Sequence, residues 1–76
     1  MFKVSIYNKS KKMVATYLDI HTVKYIDFLG DSISVTGEDL LTHEFPTSRD
    51  YHLFSKDGNY SIDHSVIGTF EVVKVM

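Results

Sequence analysis

Two histidines and an aspartate have a spacing that predicts a shared face of a small sheet. His43 and His52 flank residues 46–49, so a four-residue loop there would place their side chains directly opposite each other on neighbouring strands. If Asp57-Gly58 forms a two-residue turn, His52 also lies opposite Asp63. Two imidazoles and a carboxylate in one row can bind a divalent metal ion and leave one coordination position open.

The same row is expected on the solvent-facing side of an ordinary hairpin, where His52 would form a hydrogen bond with Asp63. One face of a one-sided antiparallel sheet is polar in any case, so this pattern does not by itself indicate a metal. The row also depends on the register, because a slip of one residue moves every side chain to the opposite face. We therefore predict no metal site and no cofactor, and divalent-metal binding is the weakest of three functional hypotheses.

The chain has few residues suited to nucleophilic or acid–base catalysis. It contains no cysteine, no serine lies in a glycine-flanked elbow, and the glycines are too isolated to form a phosphate-binding loop. Ser61, Asp63 and His64 are close in sequence, but consecutive strand residues point to opposite faces. A chain this short also has little room for a deep pocket. The sequence predicts a protein that is not an enzyme and has no small-molecule substrate.

Lysines are concentrated at one predicted hairpin tip. Lys9, Lys11 and Lys12 lie in the loop between the first two strands, and Tyr17 follows on the second strand. Residues 1–26 carry a net charge of +4, whereas residues 27–76 carry −6. Small β-barrels bind single-stranded nucleic acid with a basic rim and exposed aromatic rings, which makes this function the second hypothesis. The single arginine and the acidic remainder of the chain disfavour it.

Protein binding is the first hypothesis. Small open sheets expose edges with which another strand can pair. One small core is not expected to hold all four of the aromatic residues Tyr51, Phe54, Tyr60 and Phe70. Some of them are therefore candidate anchors for a protein partner, and burial of all four in the core is an equally good explanation. We expect a non-catalytic binding or accessory domain whose partner is a larger protein or a second copy. The candidate binding residues across these hypotheses are Lys9, Lys11, Lys12, Tyr17, Tyr51 and His52.

Strands must position these residues, because apolar and polar side chains alternate along most of the chain. The segment 13–29 is either one long bent strand or two strands interrupted at His21-Thr22. Hairpin turns are predicted at 8–12, 46–49 and Asp57-Gly58, with one helical turn near Gly37–Leu41 and a break or bulge at Gly68. The last strand is expected beside the first. The predicted strands are Phe2–Tyr7, Met13–Ile20, Val23–Leu29, Ser32–Thr36, Leu40–Phe45, Tyr51–Ser55, Tyr60–Val66 and Thr69–Val75.

Length and composition set the size of the fold. The chain has 76 residues, of which 43% are hydrophobic, so one modest core is expected. Without cysteine no disulfide supports that core, and a reducing compartment is favoured. No apolar run is long enough to span a bilayer. We predict a single soluble, cytoplasmic all-β domain over residues 1–76, either a small antiparallel barrel, SH3-like in size, or a strongly bent meander of about six to seven short strands.

Overall fold

Alternating apolar and polar residues fold into antiparallel strands that short 3-10 helices connect. The structure is a computed structural model that describes residues 1–75, and the predicted all-β class is confirmed. The first 3-10 helix spans Gly37–Leu41, as predicted, and a second spans His64–Val66. No helix within residues 1–75 is long and apolar enough to cross a membrane. The strands are β1 (Phe2–Tyr7), β2 (Met13–Ile26), β3 (Ser32–Thr36), β4 (Tyr51–Ser55), β5 (Gly58–Ile62) and β6 (Thr69–Lys74).

The long strand β2 is the centre of the sheet and pairs with three other strands. Its first half, Met13 to Ile20, pairs with β1, and its second half, Thr22 to Ile26, pairs with β3. β4 pairs with β2 between Ile20 and Lys24. Since Ile20 pairs with both β1 and β4, and Thr22 with both β3 and β4, β4 lies on the edge opposite to the other two. The path through the sheet is β5-β4-β2-β1-β6.

A bend divides β2 between its two halves. Leu18 and Asp19 together lie opposite one residue of β1, Lys3, and Asp19 adopts a left-handed backbone conformation with φ of 57°. The pairing with β4 also shifts at this point. Ile20 pairs with Ser55 and Thr22 pairs with the adjacent Phe54, so His21 is an extra residue without a partner on β4. Such bulges increase strand twist and turn the chain. Of the two predicted alternatives for this segment, the structure has the single bent strand.

The bent sheet rolls its apolar face inward around one core. Val4 and Ile6 of β1 lie between β2 and β6 and are fully buried, as are Ile20, Val23 and Leu53. β6 pairs with β1 along its whole length, and the N–H of Val75 continues the pairing by donating to the carbonyl of Met1 at 2.9 Å. The expectation that the last strand lies beside the first is therefore confirmed.

Aromatic rings close the open side of the roll. The ring of Phe70 on β6 lies 4.7 Å, centroid to centroid, from both Tyr51 on β4 and Phe45 in the loop before it. No backbone pairing joins β6 to β4 or β5 within residues 1–75. The sheet is therefore a strongly bent meander, and the closed-barrel alternative is not the one formed.

The predicted strand Leu40–Phe45 and its hairpin over 46–49 are wrong. Leu40 lies within the first 3-10 helix and is buried, and the N–H groups of Thr42 and His43 both donate to the carbonyl of Asp39. These bonds continue the helical turn and prevent an extended conformation. Residues 46–49 therefore connect this helical turn to β4 and do not join two paired strands.

The last hairpin forms, but its turn is displaced from the predicted position. Ser55 pairs with Gly58, so the two turn residues are Lys56 and Asp57 and not Asp57-Gly58. The turn moves by one residue, and the partner of each β4 residue therefore moves by two. Because strand side chains alternate with a period of two, each side chain keeps its predicted face but has a different partner. The return strand also ends earlier than predicted, at Ile62, because the second 3-10 helix begins at His64.

Gly68 breaks the chain as predicted, and the reason is a close approach of two backbone segments. Its N–H donates to the carbonyl of Tyr7 at 2.7 Å. A Cβ atom added at Gly68 would lie 2.4 Å from the carbonyl oxygen of Asn8, well inside van der Waals contact. Only glycine therefore lets the start of β6 pack against the end of β1.

We predict that Gly68→Ala lowers the free energy of unfolding by about 1–3 kcal/mol, because the added methyl group forces the β1 and β6 backbones apart. Gly58→Ala is the matched control, since nothing lies within 4 Å of its added Cβ, and its effect should stay within about 0.5 kcal/mol. Urea unfolding followed by tyrosine fluorescence measures both. Equal effects of the two substitutions would contradict the steric explanation.

Candidate functional site

The row of His43, His52 and Asp63 does not form. His43 lies in the irregular segment after the first 3-10 helix and is on no strand. His52 is on β4 opposite Ser61, and the two side chains are 3.0 Å apart, Nδ1 to Oγ. The predicted register that would have formed the row is therefore corrected, because the row required both the hairpin over 46–49 and the turn at Asp57-Gly58.

His43 instead supports the core. Its Nε2 lies 2.7 Å from the hydroxyl of Tyr25. Burial, together with the negative charge of Asp27, raises the pKa of Tyr25. The His43 ring also packs 4.7 Å from Phe45, centroid to centroid. This histidine holds the loop before β4 against the sheet.

A different group of polar side chains comes together at the end of the β4–β5 hairpin. Asp50, Asp63 and His64 each offer one ligand atom, and these atoms lie within 4.8 Å of one another at an exposed position. His64 Nδ1 is 2.8 Å from Asp50 Oδ1 and 3.7 Å from Asp63 Oδ1. Such a set is the type of arrangement that can hold a divalent cation, and the sequence pattern of the predicted row did not include His64 or Asp50 in it.

Hydrogen bonds within the chain account for this group. Asp50 Oδ1 accepts both the backbone N–H and the ring N–H of His64, and Asp63 Oδ1 accepts the backbone N–H of Ser65. Asp63 is thus the N-cap of the second 3-10 helix. The bonds lower the pKa of both carboxyl groups, in each case chiefly through the backbone N–H. The group fastens the helix to the start of β4.

We predict that Asp50→Asn destabilises the fold most when Asp50 is ionised. A lowered folded-state pKa means that the carboxylate contributes stability above its usual pKa of 3.8, and that this contribution is lost as the pH falls through the lowered value. The gap in urea midpoint between wild type and Asp50→Asn should therefore narrow in acid. Asp31→Asn is the control, because its carboxylate accepts no hydrogen bond within residues 1–75. A gap that does not change with pH would contradict this assignment.

The basic hairpin tip is well ordered by local hydrogen bonds. The side chain of Asn8 accepts the N–H groups of Ser10 and Lys12 at 2.9 and 3.0 Å, and Lys11 has a left-handed φ of 63°. Lys9, Lys11 and Lys12 are all exposed. The structure therefore brings the three predicted lysines together on one turn.

Tyr17 is placed apart from these lysines. It lies opposite Val4 on β1, further along β2, and its ring packs 4.9 Å from the ring of Tyr60, centroid to centroid. The groove beside this pair of rings is lined by Asp19 and Asp57. The lysines and Tyr17 thus do not form the joint basic and aromatic surface that the nucleic-acid hypothesis requires.

Tyr51 and His52 point in opposite directions from β4. Tyr51 is fully buried, its hydroxyl donates to the carbonyl of Pro46, and burial raises its pKa. Its ring is therefore part of the core and is not presented to a partner. His52 is exposed on the outer face of the sheet, opposite Lys24 of β2.

The most exposed large apolar side chains lie at the turn between β2 and β3. Phe28 is 72% exposed and Leu29 is 86% exposed. The side chain of Asp27 accepts the N–H groups of Leu29 and Asp31, both at 2.9 Å, and the N–H of Gly30 donates to the Asp27 carbonyl. The turn is thus a fixed structure that holds two apolar side chains in solvent.

Basic and apolar side chains continue this surface across the outer face of the sheet. The guanidinium of Arg49 lies 4.0 Å from the centroid of the Phe28 ring, and Lys24 Nζ lies 5.2 Å from that of Phe54. Within residues 1–75 Arg49 makes neither an ion pair nor a side-chain hydrogen bond, and its Nε is shielded from solvent. We call the surface formed by Lys24, Ile26, Phe28, Leu29, Arg49, His52 and Phe54 the turn patch; its members other than Phe28 and Leu29 line one groove of about 390 Å³.

Of the predicted binding residues only His52 belongs to the turn patch, and of the candidate anchors only Phe54 does. The sequence contained a signal for the rest of it, because Phe28 and Leu29 directly precede the turn residues Gly30-Asp31. The predicted strand Val23–Leu29 included both residues and so placed them in the sheet. Apolar residues next to a turn glycine are solvent-exposed whenever the strand stops before them, and β2 stops at Ile26.

Comparison with known proteins assigns no relationship. No protein-family model, no curated protein and no solved structure matches the chain at a significant level.

Proposed function

We propose that this chain is a non-catalytic binding domain that docks a protein partner through the turn patch. The observation that carries the proposal is the fixed turn at Asp27, which holds Phe28 and Leu29 in solvent without their packing on the core. Monomeric proteins rarely expose contiguous apolar surface unless it serves binding. A preformed turn also reduces the conformational entropy that its residues lose on association.

The chemistry of the patch indicates a partner segment that combines apolar and acidic side chains. Phe28 and Leu29 offer apolar contact, and the cations of Lys24 and Arg49 lie beside aromatic rings on the same surface. Arginine stacked on an aromatic ring has its planar N–H groups held in one orientation, which suits recognition of a carboxylate. We further propose a cytoplasmic location, supported by the absence of cysteine from the sequence.

Single-stranded nucleic acid is the alternative occupant for a surface of this kind. The patch has aromatic rings and two cations, which are the elements of a stacking platform. Asp50 lines the groove of the turn patch, however, and the lysine-rich tip is at a different hairpin. Protein binding is therefore favoured over nucleic-acid binding.

We predict that Phe28→Ser with Leu29→Ser weakens partner binding about tenfold or more, because central apolar anchors contribute most of the affinity of an interface. The probe is a displayed library of random dodecapeptides, enriched on the wild-type chain. Enriched peptides should carry a carboxylate next to an aromatic or aliphatic residue. Their dissociation constants are then measured by titration against both chains.

Val66→Ser is the control, since Val66 is an exposed apolar residue on the second 3-10 helix, and it should leave peptide binding unchanged. Lys24→Glu with Arg49→Glu should weaken the acidic peptides and not the fold. An oligo-dT dodecamer that binds the wild type, with the steep salt dependence of phosphate contacts, would favour the nucleic-acid alternative. Peptides that bind the serine variant as tightly as the wild type would overturn the proposed site.

A further inference from the structure

The first half of β2 has a strand partner on one edge only. Within Met13–Asp19 the pairing with β1 includes Met13, Ala15, Thr16 and Tyr17, and Val14 and Leu18-Asp19 lie in bulges of that pairing, whereas pairing with β4 begins at Ile20. Within residues 1–75 no other strand pairs with the second edge over this length; the Tyr60 ring of β5 packs on Tyr17, and Ser55 and Asp57 line a groove beside Thr16–Asp19. Backbone N–H and C=O groups on an uncovered edge are free to pair with an added strand.

Side chains along this edge are more apolar than those of a protected edge strand. Val14 is 48% exposed and Leu18 is 60% exposed, and Met13 is also exposed. Edge strands usually avoid association by carrying charges or proline within the strand. Here the charged residues stand only at the two ends, with Lys12 before the edge and Asp19 at its end.

The edge is complementary to itself in one antiparallel register. When two copies pair with Thr16 opposite Thr16, Val14 of each copy lies opposite Leu18 of the other, and Ala15 lies opposite Tyr17. The two Thr16 side chains can then form a hydrogen bond, Val14 and Leu18 bury apolar area against each other, and the two-fold symmetry forms the Val14–Leu18 pair twice. Centring the pair on Ala15 instead would set Leu18 opposite Lys12 and lose these apolar contacts.

The charges at the two ends also match in this arrangement. Lys11 and Lys12 lie at the tip before the edge, and Asp19 and Asp57 line the groove at its far end. An antiparallel second copy brings each lysine tip to the acidic end of the other.

We propose that residues Met13–Asp19 of β2 bind the same residues of a second copy, antiparallel and centred on Thr16, so that two sheets join edge to edge. The surface is separate from the turn patch, which lies at the other end of β2. The contact is short, so association is expected to be reversible and dependent on concentration.

Disulfide cross-linking tests this register, because the native chain has no cysteine. Residues directly opposite in antiparallel strands have Cα atoms about 4.5–5.5 Å apart, a spacing that a disulfide can bridge. Thr16→Cys oxidised with copper phenanthroline should therefore give a covalent dimer. Val14→Cys alone should not form a covalent dimer, because the two Val14 positions of the pair would be about 13 Å apart along the strands. Mixing Val14→Cys with Leu18→Cys should give a cross-link between the two variants.

Charge substitutions give a second test that does not rely on oxidation. Val14→Lys with Leu18→Lys sets like charges opposite each other and should abolish the dimer seen by sedimentation velocity. Val14→Lys with Leu18→Glu changes the same exposed positions but sets opposite charges together, so it should retain the dimer. The Phe28→Ser, Leu29→Ser chain should dimerise like the wild type. A chain that stays monomeric at millimolar concentration, or a dimer that survives the double lysine change, would overturn the proposal.

Discussion

The bend in β2 is the constraint on which the rest of the structure depends. Because Leu18 and Asp19 together oppose one residue of β1, the strand changes direction and its two halves serve different neighbours. Its second half is covered on both edges, and its first half on one. The curvature rolls the sheet around its core, and the same irregularity ends the contact with β4. One bulge thus determines both the shape of the core and the location of the uncovered edge.

The aromatic residues form two groups, one on the inner face of the sheet and one on its outer face. Tyr25, Tyr51, Phe45 and Phe70 form a connected set of rings that closes the roll where no backbone hydrogen bonds do so. Phe28 and Phe54 carry cations on their faces instead. Burial of the first set supplies much of the apolar area that so short a chain needs. The second set is available for contact because the core is complete without it.

Local patterns in the sequence were sufficient to predict β1, β3, β4, the first 3-10 helix and the break at Gly68. They were not sufficient where the deciding contact is distant in sequence. The segment Leu40–Phe45 was predicted as a strand because Pro46 and the residues after it suit a hairpin turn, yet Leu40 lies buried within a helical turn. The Asp57-Gly58 pattern correctly indicated the last hairpin but not its register, because the pairing of Tyr51 with Ile62 makes Lys56 and Asp57 the turn residues. Consequently the predicted His43, His52, Asp63 row was lost, and the Asp50, Asp63, His64 group and the turn patch were missed.

The position of β1 between β2 and β6 has a consequence for how the chain is made. During synthesis β1 and β2 leave the ribosome before β6 does, so their hairpin can pair at once, whereas β1 and β6 pair only after β6 has emerged. Until then one edge of β1 stays open and the buried side chains Val4 and Ile6 are only partly covered. Pairing across nearly the whole chain is also entropically slow. The interval between these events is the period in which a chaperone would find an apolar strand to bind.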